Sequence, residues 1–223
     1  SVAAKFTYVL GLVSNCFSMA WQEMVYSMGN EKENKSKLYT TASNYYIKFL
    51  MYGMVLLVPA VSIIFPYMIG PEYRDAYSLV PLYLFATVES IYSVFLGNIF
   101  GAEKKTGVIF YSTLAAAAAN VSLFHLLVGR LGVQAANISL SIGFFVIIMI
   151  RLILLNRSIA IRLDYKMIIF TTILFIGMCW VYAINIWWVS VLAFLIAGCI
   201  ALFAFKDFLK QALQFAKTKL KKS

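Results

Sequence analysis

Seven apolar stretches follow one another through the sequence, at 6–28, 45–69, 76–100, 107–128, 135–155, 167–184 and 187–205. A helix needs about 20 apolar residues to cross the hydrocarbon of a bilayer. Within lipid only helices or closed barrels satisfy every backbone N–H and C=O. These stretches are too long, and too apolar on all sides, for barrel strands, which alternate. The chain therefore reads as all-α: a polytopic helical membrane protein with about seven transmembrane helices. Composition agrees, with 62% apolar and 13% charged residues against about 45–50% and about 25% in soluble domains.

The net charge of +10 is no sign of nucleic acid, because the charges fall at the ends of the stretches and no basic groove interleaved with aromatics occurs. Instead it sets orientation. Of the 19 lysines and arginines, 16 fall in alternate gaps and the tail: Lys32, Lys35, Lys37 and Lys48; Lys104 and Lys105; Arg151, Arg157, Arg162 and Lys166; then Lys206, Lys210, Lys217, Lys219, Lys221 and Lys222. The other set holds only Lys5, Arg74 and Arg130. Positive loops stay inside, which places the C-terminus in the cytoplasm. Leu209, Leu213, Ala216 and Leu220 fall on one helical face of the tail and Lys210, Lys217 and Lys221 on another. This reads as a basic amphipathic helix on the anionic inner leaflet.

The outer gaps, near 70–75, 129–134 and 185–186, are a few residues each, so function must reside in the helices. Cys16, Cys179 and Cys199 lie in apolar stretches without metal or redox spacing. Walker, GxGxxG and HExxH motifs are absent. No catalytic residue, metal ligand or cofactor is expected. The first residue is Ser1 and no signal peptide precedes the first stretch, so the sequence reads as the later part of a longer chain.

Polar groups inside spans are costly and face a bundle interior or a wet cavity. In the first stretch Thr7, Gly11, Ser14, Ser18 and Gln22 form one stripe, with Asn15 and Glu23 beside it. The stripe suits either a cavity wall or close helix packing through small residues. Glu89 lies near the middle of the third stretch, with Ser93 and Gly97 on its face. It is either a functional carboxyl or a protonated one bonded to a neighbouring helix. Asn120, after the run Ala115–Ala119, either ties two helices or touches substrate. His125, the only histidine, reads as interfacial, and Lys48 as a snorkelling side chain. Pro59 predicts a kink in the second span, Pro81 sits in the first turns of the third, and Pro66 and Pro71 flank an outer turn.

Several phrases, in this order, carry a resemblance: Ser1-Val2-Ala3-Ala4-Lys5-Phe6; Ala20-Trp21-Gln22-Glu23; Gly70-Pro71-Glu72-Tyr73-Arg74-Asp75-Ala76 with Val80-Pro81; Lys104-Lys105-Thr106; Ala119-Asn120; Leu131-Gly132-Val133-Gln134-Ala135-Ala136; and Arg151. Over about residues 1–162 the chain resembles the C-terminal half of Wzx-type polysaccharide flippases, of the multidrug/oligosaccharidyl-lipid/polysaccharide exporter superfamily. The resemblance implies a partial second lobe of a two-lobe transporter (1–155, five helices), an extra helix pair (156–205) and the cytoplasmic tail (206–223). It implies passage of undecaprenyl-diphosphate-linked oligosaccharide across a bacterial inner membrane, through a hydrophilic cavity between lobes. Substrate-path candidates are Asn15, Gln22, Glu23, Glu89 and Asn120, with Lys5 and Arg151 as anion contacts. The family commonly has Asn where this chain has Ala4. Implied partners are the lipid-linked oligosaccharide, membrane lipids and polysaccharide-assembly proteins. A coupling ion, H+ or Na+, would have Glu89 as its carrier. The rival functions are a drug or small-solute exporter of the same superfamily and a membrane glycan polymerase or ligase; the short outer gaps disfavour the latter.

Overall fold

The structure, a computed structural model, describes residues 2–27, 32–68 and 74–206. The tail helix read from the sequence, and Pro71 in the outer turn, lie outside the described residues. The elements are α1 (Val2–Ser27), α2 (Lys32–Met68), the single turn α3 (Arg74–Tyr77), α4 (Val80–Ala102), α5 (Thr106–Leu131), α6 (Gln134–Ile159), α7 (Tyr165–Ile184) and α8 (Trp187–Ala204). Among the described residues there is no strand. The protein is an all-α polytopic membrane protein.

Among the described residues, six helices, α2 and α4 through α8, are long and apolar enough to cross a membrane. The sequence suggested about seven. The remaining stretch forms α1, a helix of 26 residues. α2 is the longest at 37 residues, or about 55 Å at 1.5 Å per residue, well beyond the ~30 Å hydrocarbon core. The lysine-bearing gap after the first stretch is thus partly helical, since α2 starts at Lys32. Pro66 sits inside α2 rather than in the turn beyond it, as does Pro59. Pro81 occupies the first turn of α4, where its missing N–H costs nothing.

Connections are tight where the sequence supplied turn chemistry. Gly132, at φ +52° between α5 and α6, adopts a backbone conformation that a side chain would strain. Asn185 ends α7 in the left-handed region, which asparagine tolerates. Asp164 caps α7 by accepting from the Met167 N–H.

The helices pack as two groups. α4, α5 and α6 form one, and α7 and α8 lie against α2 in the other; α2 meets α4 between them, and α1 packs on α4. The core runs along the α2–α4 contact, through Tyr46, Leu50, Met54, Leu84, Phe95 and Leu96, all essentially inaccessible. Trp21 of α1 enters it, 5.0 Å from the ring of Phe95 and 6.1 Å from that of Tyr39. With lipid as apolar as leucine, such contacts hold helices by close packing rather than by exclusion of water.

Polar ties fasten both ends. At the lysine-rich end, the α6–α7 connection lies on the first turns of α2. Asn44 donates to the Arg162 carbonyl at 2.9 Å and accepts from the Asp164 N–H at 2.8 Å. Thr40 Oγ1 accepts from the Arg162 N–H, and Ser36 donates to the Ala160 carbonyl. Lys48 Nζ donates to the Ala204 carbonyl at 2.7 Å, where the partial negative charge of the α8 C-terminus favours a cation. Lys35 pairs with Glu103 at 3.0 Å, and Tyr39 donates to the same carboxylate. At the opposite end Tyr77 and Tyr182 stack at 3.9 Å, and each hydroxyl donates to the other's backbone carbonyl.

Candidate functional site

An arginine in the interior of the α4–α5–α6 group bonds to both neighbouring helices. Arg151 is 4% exposed. It lies eight residues before the end of α6 at Ile159, about 12 Å along the axis. Nε donates to Ser112 Oγ of α5 at 3.0 Å, Nη2 to Thr113 Oγ1 at 3.2 Å, and Nη1 to the Ser93 carbonyl of α4. Gly97, one turn beyond Ser93, makes room: a Cβ there would lie 2.9 Å from Arg151 Nη1.

All three acceptors are neutral. Among the described residues the only ion pair is Lys35–Glu103, so no carboxylate balances the Arg151 charge. A guanidinium carries five N–H donors, and three are used. An unbalanced charge away from water is costly, which favours hydration or an anion beside it. The space exists. A cavity of about 390 Å³ opens between α4 and α5, lined by Ser90, Ser93, Asn98, Thr113 and Arg151 over the apolar Phe144 and Ile147. Asn98 Nδ2 is buried without a hydrogen-bond partner.

Glu89 occupies the neighbouring stretch of the α4–α6 contact. It is 8% exposed and accepts from Ser141 Oγ of α6. Glu89 and Arg151 each bond across the same helix pair but to separate partners. Farther along, Asn137 donates to the Leu79 carbonyl and Gln134 to that of Ser78, at the start of α4. α4 and α6 therefore share a ladder of polar contacts over most of their length.

Asn120 is half-buried on α5 against α6; a Cβ on Gly143 would come within 3.2 Å of its own Cβ. It lines a crevice of about 180 Å³ with Ala116, Ala117, Leu140 and Gly143. Asn120 and Arg151 thus lie along one α5–α6 seam. The α1 candidates stand apart. Ser14 is buried and Gly11, Ser18 and Gln22 are half-buried, whereas Asn15 and Glu23 are exposed. Within the stripe Ser14 faces the interior, whereas a Cβ on Gly11 would meet nothing within 4 Å. The side chain of Lys5 lies outside the described residues. His125 is exposed near one end of α5.

Sequence reasoning missed Ser112, Thr113 and Ser141, the hydroxyls that receive Arg151 or donate to Glu89. Serine and threonine are common in spans as packing residues, so nothing separated these three from the rest. Gly97 carried a clearer signal: a glycine two turns past Glu89 on one helix face marks a close approach, and the side chain approaching is Arg151. No family model matches the chain, and neither a curated protein nor a solved structure is found to be similar to it.

Proposed function

We propose that this chain belongs to a transporter that moves undecaprenyl-diphosphate-linked oligosaccharide from the cytoplasmic to the outer leaflet of a bacterial inner membrane, for cell-surface polysaccharide synthesis. The observation that carries the reading is Arg151: a buried cation held only by neutral acceptors, on a cavity inside the membrane-spanning part. Such a site suits an anion passing through the membrane, and a lipid diphosphate is one. The resemblance of residues 1–162 to Wzx-type flippases points to the same substrate. In this reading the lysine-rich end and the C-terminus face the cytoplasm, polysaccharide-assembly proteins are the partners, and no covalent bond is made or broken.

Expression of the full-length protein in a bacterium lacking its own flippase tests this. Surface glycan should return with the native sequence and fail with Arg151→Gln at equal membrane levels, while lipid-linked intermediates accumulate on the inner leaflet. Full export by Arg151→Gln would remove the support the arginine gives. A second reading, export of a cationic drug by the same architecture, is favoured by the buried Glu89 carboxyl. Efflux of a water-soluble cation with no effect on surface glycan would select it.

A further inference from the structure

The hydroxyls that hold Arg151 have already given their own protons away. Ser112 and Thr113 both donate to the Ile109 carbonyl, so they offer the guanidinium lone pairs alone. The Ser93 hydroxyl, whose residue lends its carbonyl to Arg151, donates to the Ser90 carbonyl. The Glu89 carboxyl is committed to Ser141, ten residues before Arg151 on α6, or about 15 Å along its axis. What remains around the cavity of about 390 Å³ is a set of donors. Two of the five guanidinium N–H groups are spare. The Asn98 amide nitrogen, buried and unpartnered, belongs to a residue of the same lining. Val94, Ile109, Phe144 and Ile147 add apolar surface without charge.

We propose that this cavity holds a resident chloride, bound by the spare N–H groups of Arg151 and by the Asn98 amide, as the counter-ion of the buried guanidinium. Charge decides the class of ion. One guanidinium balances one monovalent anion, whereas a divalent oxyanion would leave a net negative charge in the same low-dielectric space. Desolvation points the same way. The cost of leaving water climbs steeply with ionic charge, so a halide enters far more readily than sulfate or phosphate. Water alone would occupy the N–H groups but leave the charge unbalanced. Size is no obstacle: a halide needs little more than the ~30 Å³ of one water, so the cavity also admits waters to complete its shell. With Asn98 on α4 and Arg151 on α6, the ion ties two helices and should stabilise the fold. The inference does not depend on what the protein transports; a larger anion reaching Arg151 would displace the chloride.

The test is reversible unfolding of the purified full-length protein in mixed micelles, in sodium chloride against sodium gluconate at equal ionic strength. Gluconate is monovalent but bulky and strongly hydrated. The folded state should gain with chloride along a single-site saturation curve. At ten times the dissociation constant the unfolding equilibrium constant should fall about ten-fold. Bromide should substitute for chloride. Arg151→Gln removes the charge to be balanced and should abolish the response. Because Arg151→Gln also disturbs the helix contact, Asn98→Asp is the second variant. It supplies a fixed carboxylate in the same cavity and should make the protein indifferent to chloride. A native protein equally stable in the two salts would overturn the proposal. So would a full chloride response in either Arg151→Gln or Asn98→Asp, since the ion would then bind elsewhere.

Discussion

Gly97→Ala is the smallest change that should disturb the buried arginine. The added Cβ would sit 2.9 Å from Arg151 Nη1 and 3.5 Å from its Cζ, closer than two such atoms can remain. A free arginine would swing away at little cost. This one is held by bonds to Ser93, Ser112 and Thr113, and moving it breaks at least the Ser93 contact. A hydrogen bond to a charged group is worth about 1.5–3 kcal/mol. Replacing helical glycine by alanine returns roughly 0.5–1 kcal/mol. The net expectation is a loss of about 0.5–2.5 kcal/mol from the difference of these two terms. Reversible unfolding of the purified protein in mixed micelles would measure it, with Arg151→Leu as the partner in a double-mutant cycle. In the Arg151→Leu background the clash partner is gone, so Gly97→Ala should become neutral or stabilising. Strict additivity, or a Gly97→Ala protein as stable as the native one, would refute the packing argument for Gly97.

Other consequences are open to measurement. Glu89→Gln should keep the Ser141 contact and Glu89→Leu should lose it, costing about 1 kcal/mol for the lost hydrogen bond of a half-buried hydroxyl; equal stability of the two variants would count against that contact. Asn44→Ala removes two bonds to the α6–α7 connection and should speed proteolysis within residues 160–164 without unfolding the helices, as a timed digest would reveal. Tyr182→Phe deletes the hydroxyl that donates to the Tyr77 carbonyl and should cost about 1 kcal/mol, read by the same unfolding assay. In a protein without Cys16, Cys179 and Cys199, a cysteine at position 130 should react with an impermeant thiol reagent on intact cells and one at position 104 should not, following the charge split; the reverse pattern would invert the orientation.

The helices were legible because the need to satisfy backbone groups in lipid leaves the sequence few choices, and the turns at Gly132 and Asn185 carry residues suited to positive φ. α2 starts earlier than its apolar run because Lys35, Ser36, Thr40 and Asn44 are all used as helical contacts; hydropathy cannot register a polar face that is paid for by a distant loop. Glu89 and Arg151 stood out as ionisable groups within spans. Their partners did not, since which hydroxyl meets which charge depends on how α4, α5 and α6 rotate against one another. The rotation of α1 likewise sends Ser14 inward and Asn15 outward, a choice that helical spacing leaves open.

The clamp of the α6–α7 connection on α2 has a consequence for biogenesis. Asn44 and its partner Asp164 are 120 residues apart. At about 5–20 residues per second of synthesis, α2 spends roughly 6–24 seconds in the membrane before the backbone groups that satisfy Asn44 emerge from the ribosome. Its polar first turns must meanwhile be satisfied by water or headgroups at the interface. The arrival of residues 160–164 and of α7 and α8 then completes a helix inserted long before, so a ribosome stalled ahead of residue 160 would leave α2 as the exposed element that quality control meets first.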